Sequence, residues 1–155
     1  MKVLLLMCCV LIASQSHAQI RPRPLQPHTD LLLKVQPETT QSHDTRALFE
    51  NIEQGILNGS AAEIHAYFAR QVSMTITGNE SGYYSSGQAS LILQNFFSTR
   101  KPTQFSFTRL NATAPSPCAT GRLTFVRRGT RESVQVYVSL MHQDSQWVIT
   151  QFNIY

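Results

Sequence analysis

Two periodicities divide the chain near Pro102. Before it, apolar residues recur mostly at helical spacing; after it, they alternate with polar ones. Leu48, Phe49, Ile52 and Ile56 share one face at a 3.6-residue period, which predicts a helix. Asp44 stands where an N-cap belongs, and Asn58-Gly59 supplies a stop. Ser60-Ala61-Ala62-Glu63 has the form of a capping box and opens a second helix with Ile64, Tyr67 and Phe68 as its stripe. Ser85 and Gln88 form another box, with Tyr84 placed to staple against Ala89. The third helix then carries Ala89, Ile92, Leu93, Phe96 and Phe97 on one face, and Lys101-Pro102 ends it. Between the second and third helices, Val72, Met74 and Ile76 alternate with Ser73, Thr75 and Thr77, a half-buried strand closed by a Gly78-Asn79 turn.

Beyond Pro102 the alternation marks four strands. They are carried by Phe105 and Phe107, by Leu123 and Phe125, by Val134, Val136, Val138 and Leu140, and by Trp147 to Tyr155. The connections are short and polar: Ala114-Pro115-Ser116-Pro117, Arg128-Gly129-Thr130 and Gln143-Asp144-Ser145. Short connections favour antiparallel neighbours. The pattern predicts an α+β fold with about three N-terminal helices packed on a bent antiparallel sheet.

The N-terminus changes what counts as the mature chain. Lys2 precedes an apolar run from Val3 to Ala13, and Ser16-His17-Ala18 places small residues at a cleavage site. This predicts a signal peptide over 1–18, cleavage at Ala18-Gln19, and export to the periplasm or the extracellular space. The run falls short of the roughly 20 apolar residues of a membrane span. Residues 19–43 hold Pro22, Pro24, Pro27 and Pro37 and read as a Pro-rich linker, in which Leu31-Leu32-Leu33 either rides on a tether or docks. A single domain then spans 44–155.

Composition is consistent with a folded domain. Hydrophobic residues make up 42% and charged residues 14%, which excludes a highly charged disordered chain. Of the three cysteines only Cys118 lies beyond the signal segment, so no intramolecular disulfide is available to the mature chain. It is either an incidental thiol or a site of intermolecular pairing. Charge is uneven: residues 44–99 carry two basic and five acidic side chains, residues 100–155 seven and two. Arg127, Arg128 and Arg131 crowd one turn, either a solvated hairpin tip or an attractor for an acidic partner. Export and the lack of interleaved aromatic and basic residues argue against nucleic acid.

The local motifs carry a resemblance. Gly55-Ile56-Leu57-Asn58-Gly59 leads to Tyr67-Phe68, then Val72-Ser73-Met74-Thr75-Ile76. Tyr84-Ser85-Ser86-Gly87-Gln88-Ala89 precedes Ile92-Leu93-Gln94-Asn95-Phe96-Phe97, and Pro102 to Phe105 follows. Over about Ile52 to Met141 this resembles the domain-of-unknown-function family 4783, exported proteins of bacteroidete-type bacteria. That family falls within the nuclear-transport-factor-2-like superfamily. The resemblance implies the cone-shaped, cystatin-like fold and an exported protein; it implies no activity.

Enzymes of that superfamily, such as ketosteroid isomerase and scytalone dehydratase, place Asp, His or Tyr inside the cone. Here Asp30 falls in the linker, Asp44 at a helix cap and Asp144 in a hairpin turn, so no aspartate lies on an apolar strand face. His65 and Tyr84 are the candidate acid and base, against the simpler reading of a surface histidine and a tyrosine beside a cap. His28, His43, His65 and His142 lack HxH or HxxxH spacing, so no metal site is expected. No P-loop, GxGxxG or GxSxG motif is present and no cofactor is expected. The expectation is an exported non-catalytic binding or interaction module. Phe68, Met74, Phe96, Phe97, Phe107, Val136 and Trp147 would line a cone able to hold a small apolar ligand. The alternatives are a small isomerase- or dehydratase-type enzyme using His65 and a tyrosine, and a homodimer through the outer sheet face, where Gln135, Tyr137 and Ser139 alternate with the core set.

Overall fold

A helix α1 (Gln36–Asn58) is followed by a five-residue helix α2 (Ala61–His65), strands β1 (Phe68–Ile76) and β2 (Glu80–Ser85), and helix α3 (Ser86–Thr99). Four strands complete the chain: β3 (Lys101–Asn111), β4 (Cys118–Arg127), β5 (Thr130–Gln143) and β6 (Gln146–Ile154). The computed structural model describes residues 36–77 and 80–155. The signal segment 1–18, most of the linker including Leu31-Leu32-Leu33, and the Gly78-Asn79 turn lie outside the described residues.

All six strands form one sheet in the order β2-β1-β6-β5-β4-β3. The meander β3-β4-β5-β6 is antiparallel throughout, as the short connections predict. The expected all-antiparallel sheet is corrected at one edge: β1 joins parallel to β6, because the chain between them crosses through α3 and the meander, and carries β2 antiparallel on the outside. Two tight turns drive the meander. Arg128 and Gly129 take φ of 50° and 81°, and Asp144 and Ser145 take 47° and 65°. Two consecutive positive-φ residues match the twist of a two-residue hairpin.

The core lies between the helices and one sheet face. Leu48, Phe49, Ile52 and Ile56 of α1 are buried, as are Ala89, Leu93, Phe96 and Phe97 of α3. They meet Met74, Leu123, Phe125, Val136, Val138, Leu140, Ile149, Phe152 and Ile154 of the sheet. Aromatic edges lock the contact: Phe96 meets Phe125 at 5.8 Å between ring centroids and Phe49 meets Phe107 at 5.6 Å. Full burial of each such side chain contributes about 1.5–3 kcal/mol.

Three local predictions are corrected. First, α1 does not begin at Asp44. It already spans 36–43, the end of the expected linker, and Asp44 is exposed within it. Pro37 sits in the first described turn, where a missing N–H is tolerated, so the proline did not mark the linker's end. Thr45 adds a tertiary anchor, its hydroxyl donating to the Ala112 carbonyl at 3.1 Å.

Second, the Ser60 box is only half formed. Ser60 Oγ accepts from the Glu63 amide at 3.3 Å. The Ser60 amide is already taken: it donates to Gly55 O at 2.9 Å, while Gly59 at φ 66° donates to Ile56 O at 3.0 Å. That pair is a Schellman ending to α1. The Glu63 carboxylate accepts from Asn58 Nδ2 instead, at 3.1 Å. α2 stops at His65, and Phe68 opens β1 rather than extending a helical stripe.

Third, Glu80–Ser85 is a strand, where the sequence suggested only a lead into the capping box. The box itself is present at Ser85: the Gln88 amide donates to Ser85 Oγ at 3.4 Å and the Ser85 amide to Gln88 Oε1 at 3.0 Å.

Candidate functional site

The sheet has two chemically opposite faces, and the register defines both. On β4, Ala119, Gly121, Leu123 and Phe125 face the helices, so Thr120, Arg122 and Thr124 face outward. On β5 the outward set is Ser133, Gln135, Tyr137 and Ser139. Cross-strand pairing then builds rows. One runs Ser106, Arg122, Gln135, with Tyr155 bonded to the Gln135 backbone at 2.9 and 3.2 Å. The next runs Arg109, Thr120, Tyr137, Asn153, Thr75, Ser81.

These two rows hold an open trough of about 520 Å³. Thr108, Arg109, Thr120, Gly121, Arg122, Ser133, Val134, Gln135 and Tyr155 line it. Two of them are arginines and none is acidic. The outward rows through Thr124 and Val126 likewise carry no acidic side chain: the first pairs Gln104 and Ser133 across it, the second Lys101 and Arg131. Glu53, on α1, accepts from the Phe107 amide at 2.8 Å, where the β3–β4 register shifts between Phe107 and Arg109. A bulge leaves an amide outside the ladder, and the carboxylate takes it.

A polar brace supports the trough's floor. Asn153 is 1% exposed; its Oδ1 accepts from the Thr75 amide at 3.0 Å and its Nδ2 donates to the Tyr155 hydroxyl at 2.9 Å. Tyr155 as a residue is 58% exposed, at the rim of the trough. Beside it, burial pushes the Tyr137 phenol above its ordinary value; the Ser139 hydroxyl opposes this, and the Cys118 thiol reinforces it. Cys118 is half-buried on the same face, opposite Ser139. At the end of the sheet the Arg100 guanidinium sits 4.6 Å above the Phe96 ring. Burial there lowers its pKa, as does Arg127, while Glu132 opposes the shift.

The sequence candidates fall away from this trough. Phe68, Met74, Phe96, Phe97 and Val136 are buried in the main cluster, and Phe107 and Trp147 are partly buried against it. None of the seven lines the trough. His65 is exposed at the end of α2, its ring 6.4 Å from that of Phe68. Tyr84 is half-buried on β2 opposite Val72 and packs on the core. Among the described residues no group of three or more His, Cys, Asp or Glu side chains is placed to hold a metal. Nor is any described helix long and apolar enough to cross a membrane. The trough residues were visible in sequence only as polar alternation. Their convergence needs the β3–β4–β5 register and the return of Tyr155 beside Gln135.

Comparison with known proteins places this architecture. A crystal structure of a DUF4783 family protein from Bacteroides uniformis superposes with a TM-score of 0.62 at 21% identity, covering 68% of this chain and 93% of that one. An NTF-2 like protein of unknown function from Shewanella oneidensis gives 0.54 at 12% identity, covering 73% and 97%. A ketosteroid isomerase-like protein from Erwinia carotovora atroseptica gives 0.61 at 9% identity, covering 74% and 94%. At such identities the likeness is one of fold: α+β, with nuclear-transport-factor-2-like neighbours. No curated protein matches the chain. The model of the family described as "Domain of unknown function (DUF4783)" matches residues 49–155, from the middle of α1 to Tyr155, and the chain therefore belongs to that family.

Proposed function

We propose that this chain is an exported, non-catalytic binding module that works through the outer face of its sheet. The observation that carries the reading is the trough, in which two guanidinium groups stand among hydroxyls and an amide with no acidic side chain. Such a set attracts and orients an anionic partner without needing a proton to move. Isomerase- or dehydratase-type chemistry needs a titratable group held against substrate inside a cavity. The exposure of His65 and the structural engagement of Glu53 favour the binding reading. The outer face also suits a foreign partner better than a second copy. An isologous contact must complement itself, and a trough with Arg109 and Arg122 and no acidic side chain sets mainly like charge against its own image.

Hydrogen exchange on the purified chain, with and without a panel of anionic saccharides, acidic peptides and inorganic anions, tests the proposal. The expected result is protection of β4 and β5 by at least one member, abolished by Arg122→Glu. Turnover of a ketosteroid or dehydratable substrate that disappears in His65→Ala or Tyr84→Phe would overturn it.

A further inference from the structure

The trough's chemistry points beyond a generic anion. Resting on the binding reading above, we infer that it takes a short oligosaccharide bearing uronic-acid carboxylates. Three features of the lining converge on that class. Arg109 and Arg122 present planar forks suited to carboxylates, and the register puts them in adjacent outward rows, about 7 Å apart along the strands. Thr108, Thr120, Ser133 and Gln135 surround them with neutral polar groups; the Thr108 hydroxyl already donates to the Thr120 carbonyl at 3.1 Å and the Ser133 hydroxyl is bonded to that of Thr124 at 3.0 Å, which leaves both able to accept. An acidic peptide would leave most of those groups facing aliphatic stems, whereas a pyranose ring offers a hydroxyl to each. The exposed Tyr155 supplies the third feature. Asn153 holds its hydroxyl at 2.9 Å, which fixes the ring as a flat apolar plate for the C–H face of a sugar. The size agrees: about 520 Å³ lies within the roughly 300–1,000 Å³ range of small-ligand sites.

Isothermal titration calorimetry on the whole chain decides this, with tetragalacturonate, its fully methyl-esterified form and tetraglutamate as probes. The expected result is one saturable site for tetragalacturonate. Full esterification, which removes both charge-assisted contacts, should weaken binding about a hundredfold, and Arg109→Gln and Arg122→Gln each about tenfold, the loss of one. Tyr155→Ala should do the same while Tyr155→Phe keeps most of the affinity, because the ring face and not the hydroxyl is used. Thermal melts check that each variant folds. Equal affinity for tetraglutamate and tetragalacturonate would overturn the inference and leave the binding reading standing, with an acidic protein segment as the partner. Failure of all three probes, while an inorganic anion or another peptide still protects β4 and β5 in hydrogen exchange, would do the same. No probe bound and no protection of the sheet by any panel member would remove both.

Discussion

Replacing Gly121 by alanine should destabilise the domain by about 3 kcal/mol. Gly121 sits in β4 opposite Phe107 of β3 and Val136 of β5. A Cβ there would lie 2.5 Å from the Ser106 carbonyl oxygen and 2.9 Å from the Phe105 ring. Ordinary contact begins near 3.4 Å, so β3 and β4 would have to part by about 0.9 Å at a backbone atom. That strains one or two ladder hydrogen bonds, each worth about 1 kcal/mol net. Moving the buried Phe105 ring off its rotamer adds about 1 kcal/mol. In a domain of this size the total corresponds to a fall in Tm of about 10–20 °C. Gly87→Ala is the internal control. It makes the same chemical change in α3 with nothing within 4 Å, and should stabilise by about 0.5 kcal/mol through helix propensity. Urea unfolding of both variants measures the contrast. If Gly121→Ala falls within about 0.5 kcal/mol of the parent, the close approach of β3 to β4 is not what excludes a side chain.

Other perturbations test other parts of the structure. Asn153→Ala strips the Thr75 amide of its acceptor in a buried setting and should cost about 1–3 kcal/mol in urea unfolding, with Tyr155 losing its brace. Ser145→Gly places glycine at φ 65° in the β5–β6 turn and should gain about 0.5–1 kcal/mol, read as a higher melting temperature. The Tyr137 phenol is raised in the folded state, chiefly by burial, so folding favours its neutral form. The stability this contributes is fully present below the unfolded phenol value of about 10 and is lost as pH climbs through the folded value. Alkaline unfolding followed by tyrosinate absorbance should therefore show a steeper loss of stability above pH 10 in the parent than in Tyr137→Phe.

Much of the fold can be read from local pattern because its parts are local devices. The β3–β6 meander follows from strict alternation and from turns placed at Arg128-Gly129 and Asp144-Ser145. The Ser85–Gln88 box marks the start of α3 because both partners lie within one turn. Where two local devices compete for one group, the pattern misleads. Ser60 has a single amide, the Schellman ending of α1 claims it, and the expected box with Glu63 stays half made. β2 was hidden for another reason: Glu80 to Ser85 is a six-residue edge strand, short of apolar alternation, that depends on its ladder with β1.

The amino-acid order by itself determined the α+β class, the helical and strand faces of the core, the hairpin turns and the likeness to the DUF4783 family. Each depends on periodicity or on neighbours a few residues apart. Tertiary structure alone decided that β1 runs parallel to β6, that Glu53 closes the bulge at Phe107, and that Arg109, Arg122, Gln135 and Tyr155 meet in one trough. Those groups lie up to 54 residues apart in the pairing of α1 with β3, and in the trough they come from three strands and the segment after β6. Alternation states which face of a strand a side chain takes. Only register, set by the packing of the opposite face against α1 and α3, states which side chains stand beside it.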